Sequence, residues 1–454
     1  MSFISTNPAT GKVLRRFKEH TPAEIARKLA SAKQAQNAWR TVPLQIRTRS
    51  ALKLARLLRK EKRELGRLMT LEMGKPIRAA VAEVEKCAWS TEYFAENAQR
   101  FLSPEPVKTD ASESMVAFEP LGIILGIMPW NFPFWQVLRY AVPALLAGNA
   151  TLLKHASSVS GCSLRIEALF LEAGFPKHLF QSLLIDTGNI PALIADPRIG
   201  AVTLTGSERA GSSVAATAGT ALKKCVLELG GSDPFIILGD ADLAEAARIG
   251  ARARLQNAGQ SCIAAKRFIV VRKNAEMFCA LLKTRFEEMV VGDGADEKTD
   301  VGPLASEAML RELDRQVTKS TAQGAKVLLG GKRITRKGYF YEPTILTNTK
   351  KGMPVVDEEV FGPVAAVIVV KDEKEAIEAA NDTPYGLGAS LWTQDIARAR
   401  RIIPRIESGS VFVNEMVKSD PRLPFGGVKK SGYGRELSGF GLREFTNIKT
   451  VYIK

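Results

Sequence analysis

The spacing of apolar positions gives the chain three successive textures. From residue 21 to about residue 101 they recur three and four apart, the period of a helix with one buried face. Thr21-Pro22-Ala23-Glu24 reads as a helix start, with a capping threonine, proline at the first helical position and glutamate placed to close a capping box. Ile25, Leu29, Ala32 and Trp39 then mark the buried stripe. Two further amphipathic helices are predicted over about 44–63 and 78–101, separated by Glu72-Met73-Gly74-Lys75-Pro76. Residues 112–118 alternate apolar with polar side chains, which predicts a strand whose half-exposed face suits an edge or a subunit contact.

From Leu121 the texture changes to short, continuous apolar runs separated by helical stretches. Strands are predicted at 122–128, 150–153, 179–185, 199–204 and 224–227, with helices at about 133–148, 159–173, 189–195 and 207–219 between them. Strands that are apolar on both faces belong in a parallel sheet covered on both sides by helices. A second set begins at Phe235-Ile236-Ile237-Leu238. It continues through a helix capped by Asp242, with Glu245 in its first turn, and strands near 267–271, 326–329, 343–346, 364–370 and 410–413. The tail, 445–453, alternates again. The fold class expected is therefore α/β: two doubly wound parallel-sheet domains with a small β extension. The division expected is 1–103 with 121–228 for the first domain, 229–428 for the second, and 104–120 with 429–454 for oligomerisation or bridging. In such sheets ligands bind at the carboxyl ends of the strands. That directs attention to Pro129-Trp130-Asn131, Lys154 to Ser157, Thr205-Gly206-Ser207 and Glu228-Leu229-Gly230-Gly231.

Composition narrows the chemistry. A chain of 454 residues exceeds one compact core. No stretch approaches the about 20 apolar residues of a bilayer span, and the N-terminus lacks the pattern of a secretion leader. The five cysteines have no framework or zinc spacing, which predicts a reducing, cytoplasmic setting; three histidines leave little for a metal centre or a Ser/His/Asp triad. The net charge of +16 raises the question of nucleic acid. The basic residues are dispersed, however, and not interleaved with aromatics, so small anionic substrates and phosphate-bearing cofactors are the expected partners rather than nucleic acid or membrane.

Among the cysteines, Cys87, Cys162, Cys225 and Cys279 lie in apolar patterns and read as packing residues. Cys262 differs. It ends the polar turn Gln256-Asn257-Ala258-Gly259-Gln260-Ser261-Cys262, ahead of a strand-like run. On local chemistry alone, both a nucleophile and an inert thiol remain open. No G-x-G-x-x-G fingerprint is present. Its nearest stand-in is Gly206-Ser207-Glu208-Arg209-Ala210-Gly211, a turn that serves either a phosphate or simply tight packing.

The turns carry more as a series. Asn7-Pro8-Ala9-Thr10-Gly11, Pro129-Trp130-Asn131-Phe132-Pro133, Thr205-Gly206-Ser207, Glu228-Leu229-Gly230-Gly231, Gly259-Gln260-Ser261-Cys262, Glu359-Val360-Phe361-Gly362-Pro363 and Pro424-Phe425-Gly426-Gly427 follow in this order. The chain thereby resembles the aldehyde dehydrogenase superfamily over essentially its whole length, and within it the bacterial succinate-semialdehyde dehydrogenases. The resemblance implies Cys262 as the thiolate nucleophile, Asn131 with the Cys262 N–H as the oxyanion site, and Glu228 as the base for hydrolysis of a thioester. It implies a cofactor site from Met128, Pro129, Trp130, Lys154, Ser157, Gly206, Ser207, Gly211, Leu229, Glu359 and Phe361, with no metal. For the substrate, a small carboxylated aldehyde, it implies Arg139, Ser419 and Ser261, and for the assembly a homodimer or a dimer of dimers. Arg139 lies eight residues past Asn131, about 12 Å along a helix. The residues allow blander roles as well: Glu228 held by the Gly230 and Gly231 amides, Asn131 as a helix cap, Arg139 in a salt bridge.

Three departures sharpen the reading. NAD-preferring members often carry glutamate three residues after the family lysine, where this chain has Ser157, with His155 beside it. A serine in place of a carboxylate removes repulsion against a 2′-phosphate, so NADP is expected as the preferred cofactor and NAD as the secondary one. Gln256 stands where some relatives carry a second substrate arginine, and Ala264 where some carry a second cysteine. The expected reaction is oxidation of succinate semialdehyde to succinate. The alternatives are another ω-carboxylated or aliphatic aldehyde, such as glutarate semialdehyde, and a catalytically idle relative.

Overall fold

The computed structural model describes residues 2–454; Met1 lies outside them. The six-stranded sheet of the first half runs Gly432–Tyr433, Lys224–Glu228, Ile199–Thr205, Ile123–Met128, Ala150–His155, Phe180–Ser182. Its members are parallel except Gly432–Tyr433, which pairs antiparallel with Lys224–Glu228. The seven-stranded sheet of the second half runs Lys326–Leu329, Thr344–Thr347, Val364–Val370, Arg267–Val271, Pro234–Ile237, Gly388–Trp392, Ser410–Val413. It is parallel except at Lys326–Leu329. Each sheet is covered on both faces, as the continuous apolar runs predict.

The predicted helix starts hold in atomic detail. The Thr21 hydroxyl accepts from the Glu24 N–H (3.3 Å), and the Glu24 carboxylate accepts from the Thr21 N–H (2.7 Å), a complete capping box for Pro22–Trp39. Asp242 caps Leu243–Leu255, its side chain accepting from the Glu245 N–H (3.1 Å). Several elements are additional to those predicted. A hairpin, Ser2–Thr6 with Val13–Lys18, opens the described chain. Lys62–Met73 is a helix of its own after Leu44–Lys60. Gly388–Trp392 is a fully buried central strand whose flanking Pro384, Gly386 and Gly388 disguise it as a loop.

The helical layer also positions the loops at the strand ends. Gly74, at φ +82, closes Lys62–Met73, and a Cβ there would stand 2.7 Å from Pro303 Cγ. Just before this turn, the buried Glu72 carboxylate accepts from the N–H groups of Gly161 and Cys162 (2.9 Å each), capping Ser160–Glu172. Just after it, the buried Glu83 carboxylate accepts from Phe134 and Trp135 N–H (3.0 Å each), capping Trp135–Leu146, and pairs with Lys75. The segment 72–83 thus supplies anionic caps to two helices that begin just beyond strand ends, where unpaired N–H groups favour negative charge.

The tail does more than form an extension. Gly432–Tyr433 completes the first sheet, and Ser438–Glu444 packs into the first core through Leu442, with Leu437 and Phe445 beside it. Only Thr446–Ile453 joins the separate three-stranded sheet with Glu113–Pro120 and Glu105–Pro106. Among the described residues no helix is long and apolar enough to cross a membrane.

Candidate active site

The turn before Cys262 departs from ordinary backbone. Asn257 and Ala258 have φ of 55° and 54°, and Gly259 has +74°. An alanine in the left-handed region persists only where its surroundings fix it. They do so here. Asn257 Nδ2 donates to Asn131 O (2.9 Å), and the buried Arg254 donates to Gly259 O (2.6 Å). Gln260 is held on the far side, its Oε1 accepting from Ala305 N–H (2.9 Å). A Cβ on Gly259 would lie 2.2 Å from Gly362 O, so only glycine fits. Beyond the thiol, the fully buried Lys266 ammonium donates to the carbonyls of Ser261 (2.9 Å), Cys262 (2.7 Å) and Ala264 (3.3 Å).

Cys262 is half-buried in the wall of a cavity of about 260 Å³. Pro129, Trp130, Asn131, Gln136, Thr205, Gly206, Ser207, Leu229, Gly230, Met309, Glu359 and Phe361 line the rest. Burial pushes the thiol up to about 12, with the Lys266 and Arg139 charges opposing the shift. Asn131 is gripped at both ends of its amide: Nδ2 donates to Gln260 O and Oδ1 accepts from Gln136 Nε2, 3.0 Å each. One amide hydrogen of Asn131 remains uncommitted. The Cys262 N–H also donates to no protein group among the described residues. Two free donors beside a thiol are what a developing oxyanion needs. Asn131 does not cap the following helix, since Glu83 takes that position.

Glu228 ends strand Lys224–Glu228, only 2 % exposed, and neither carboxyl oxygen has a hydrogen-bond partner. The Gly231 amide goes instead to Glu359 Oε1 (3.0 Å). A Cβ on Gly426 would come 2.8 Å from Glu228 Oε1, so the Pro424-Phe425-Gly426-Gly427 turn closes over the carboxyl. Burial and the Glu436 carboxyl hold Glu228 well above the ordinary carboxylate range. Arg139 pairs directly with Glu436, which leaves Glu228 without an ion-pair partner of its own among the described residues. The turn after Glu228 is fastened by the tail, with Leu229 N–H donating to Ser431 O (3.0 Å) and Ser431 Oγ donating to Gly230 O (2.7 Å).

At the cofactor end, Glu359 projects between Gly230 and Lys266 Nζ (3.9 Å), and Phe361 meets Trp130 edge to face at 5.9 Å. A Cβ on Gly230 would lie 2.6 Å from Glu359 Oε2, which explains the glycine. Gly211 packs its bare Cα on Leu229, and Ser207 caps Glu208–Thr220. Lys154 is half-buried at the end of strand Ala150–His155, and Ser157 is exposed at the start of the next turn. Among the described residues no carboxylate pairs with Lys154. His155 is not a phosphate partner. Its Nε2 faces Pro133 O (2.9 Å), Nδ1 accepts from Ala156 N–H (3.0 Å), and burial lowers its pKa to about 4. It is a neutral clamp across the 128–133 loop that carries Asn131, with Met128 O facing Nδ1 at 3.2 Å. An ammonium, a hydroxyl and no carboxylate at residues 154–157 fit a phosphorylated ribose, and the Glu359 carboxylate fits ribose hydroxyls.

Arg139 is not among the residues that line the cavity. Its guanidinium is 3 % exposed, pairs with Glu436, donates to Thr205 Oγ1 (3.1 Å) and lies over the Phe425 ring. A substrate carboxylate meeting Arg139 would share it with Glu436. Ser419, also buried, accepts from Lys86 Nζ (2.7 Å). Ser261 is buried with its carbonyl on Lys266, and is not on the cavity wall. Sequence reasoning missed Lys266, Arg254, Glu436 and Lys86, each a charged residue in a stretch that reads as ordinary helix, strand or turn.

The comparisons agree with this geometry. A model of the aldehyde dehydrogenase family matches residues 1–451. The chain is 49 % identical over 453 residues to a protein of Synechocystis named probable succinate-semialdehyde dehydrogenase [NADP(+)], with all of both chains covered. It is 48 % identical over 456 residues to succinate-semialdehyde dehydrogenase [NADP(+)] 1 of Mycobacterium tuberculosis, again over all of both chains. The succinic semialdehyde dehydrogenase of Streptococcus pyogenes, solved in complex with NADP+, superposes with a TM-score of 0.97 at 38 % identity over 99 % of each chain. The chain belongs to the aldehyde dehydrogenase family.

Proposed function

We propose that this enzyme oxidises succinate semialdehyde to succinate with NADP+ as the preferred acceptor and NAD+ as a slower one. The observation that supports it most is the cavity itself, which sets the Cys262 thiol beside two uncommitted donors and the Glu359 carboxylate. The names of the relatives, NADP-linked succinate-semialdehyde dehydrogenases, point to the same substrate and acceptor.

In this reading the Cys262 thiol gives its proton to solvent water and its sulfur bonds to the aldehyde carbon as the carbonyl π bond breaks, giving a thiohemiacetal oxyanion. The negative oxygen is held by Asn131 Nδ2 and the Cys262 N–H, each donor worth about 3 kcal/mol in the transition state. The thiohemiacetal carbon gives up a hydride, for which a bound nicotinamide would be the acceptor, and the carbonyl re-forms as a thioester on Cys262. Glu359 would hold the nicotinamide ribose, Phe361 and Trp130 would line its pocket, and Lys154 with Ser157 would meet the adenosine ribose and its 2′-phosphate. Glu228, once ionised, takes a proton from the water that splits the thioester, restoring the thiol and releasing the acid. A base held above the ordinary carboxylate range is suited to taking that proton near neutrality.

The three-stranded sheet, with Ile448 and Ile453 exposed, is the surface on which a dimer or dimer of dimers would form. Five free cysteines suit a reducing, cytoplasmic compartment. Steady-state kinetics with NAD+ and NADP+ across short aldehydes, with and without a terminal carboxylate, test the reading. It predicts the highest kcat/KM for succinate semialdehyde with NADP+. A higher value for an uncharged aldehyde, or for glutarate semialdehyde, would replace the substrate.

A further inference from the structure

An asparagine side chain has two ends of nearly equal shape and opposite chemistry, a carbonyl that accepts and an amide nitrogen that donates. Only one orientation offers a donor to an oxyanion, so the neighbours of Asn131 must decide which way its amide lies. Two of them do. The Gln260 carbonyl accepts from Asn131 Nδ2 (3.0 Å) and is itself fixed within the nucleophile turn, accepting also from Asn257 Nδ2 (3.2 Å). On the other side, Gln136 Nε2 donates to Asn131 Oδ1 (3.0 Å). Reversing the Asn131 amide would set donor against donor and acceptor against acceptor.

Gln136 is placed for this contact by the start of its helix. The Glu83 carboxylate accepts from Phe134 and Trp135 N–H, and the Gln136 N–H donates to Phe132 O (3.1 Å), so the backbone that carries the side chain is held. The side chain is 2 % exposed and lines the cavity that contains Cys262. Its other end, Oε1, is buried and has no hydrogen-bond partner among the described residues. A buried acceptor without a donor is a cost that an apolar side chain of the same shape would avoid. Packing alone therefore does not account for a glutamine here, whereas the bond from Nε2 does. That bond also acts beyond Oδ1: an amide that accepts at its oxygen is polarised, and its N–H becomes a stronger donor.

We propose that Gln136 is a positioning residue for the oxyanion step, locking the Asn131 amide with its donor end available to the developing negative oxygen and strengthening that donor. The inference rests on the oxyanion role of Asn131 given above and adds the group that enforces it. Gln136 acts through Asn131 and not through the thiol or the cofactor residues, so its loss is felt only in steps where the oxygen carries charge.

The test compares the full-length wild type, Q136M, N131A and the N131A/Q136M double variant. The main readout is the rate of the NADPH burst after mixing with succinate semialdehyde and NADP+. Two controls are NADP+ affinity by fluorescence titration and alkylation of Cys262 by iodoacetamide. For Q136M the burst is expected to slow about five- to tenfold, with affinity and alkylation unchanged within about twofold. N131A slows the burst about 10²–10³-fold. Adding Q136M to N131A then costs less than about twofold more, because nothing is left to position. An undiminished burst in Q136M, or a Q136M loss that persists in full in the N131A background, would overturn the inference. So would an equal fall in alkylation or cofactor affinity, which marks a general loosening of the site. Should Q136M fail to fold, Q136N decides: its amide is one methylene shorter and falls short of Asn131 Oδ1, and an undiminished burst there overturns the proposal. An N131A enzyme with an undiminished burst, or a wild type with none, overturns the reading above and the inference together. A crippled N131A beside an unaffected Q136M overturns the inference alone.

Discussion

The two ends of the site are built on opposite principles. Around Cys262 the loop is held by buried side chains: Asn257, Arg254 and Lys266 donate to backbone carbonyls, Gln260 accepts from the Ala305 N–H, and Asn131 is gripped at both ends of its amide. Around Lys154 and Ser157 the side chains are partly or fully exposed, without ion pairs. The reacting atoms need fixed geometry, which backbone-directed bonds from buried side chains provide. The nucleotide end needs charge left over to meet a phosphate, and a residue paired within the protein has none to give.

Substitutions at each end should therefore fail in different ways. The largest effect is expected from Cys262→Ala, which removes the nucleophile and lowers kcat by about 10⁴-fold or more, with NADP+ binding retained in a fluorescence titration. Next comes Lys266→Met. It strips three carbonyls and the nearby Glu359 of their cation, and denaturant unfolding should show a loss of about 3–5 kcal/mol along with most activity. A fully stable, active K266M would show that the nucleophile loop does not need its buried clamp. At the loose end, Ser157→Glu should leave stability unchanged and shift the NADP+/NAD+ ratio of kcat/KM about thirtyfold towards NAD+. An unchanged ratio would remove Ser157 from cofactor selection. The smallest effect is graded. Because burial raises the Cys262 thiol to about 12, its alkylation by iodoacetamide in the cofactor-free enzyme should rise up to tenfold per pH unit between pH of about 7 and 9, without a plateau. A plateau near neutrality would mean a thiol already ionised in the resting enzyme.

The parts of this site that were legible in the sequence share a property: each is written in consecutive residues. Turns such as Gly259-Gln260-Ser261-Cys262 and Pro129-Trp130-Asn131 sit at strand ends, where periodicity breaks, so their chemistry stands out locally. Glu436, Glu83 and Lys86 act through partners far away in the chain, and a charged residue with a remote partner looks the same as one on a solvated face. The ion pair of Arg139 with Glu436 is of this kind, since nothing near position 436 announces a buried carboxylate. The strand Gly388–Trp392 was hidden by Pro384 and Gly386 ahead of it and by Gly388 at its start, whose bare Cα packs against Asp233 and Val417 with no local signature. Gly388 is required because a Cβ would lie 2.6 Å from Val417 Cγ1.

The central claim is a covalent intermediate on Cys262 that Glu228 helps to hydrolyse. Glu228→Gln removes the base but leaves the thiol, the oxyanion donors and the cofactor residues in place. Mass spectrometry of this variant, quenched after mixing with succinate semialdehyde and NADP+, tests the claim most directly. The account predicts a succinyl thioester accumulating on the peptide that contains Cys262, and none when NADP+ is omitted. No adduct at all, or one on another cysteine, would contradict it.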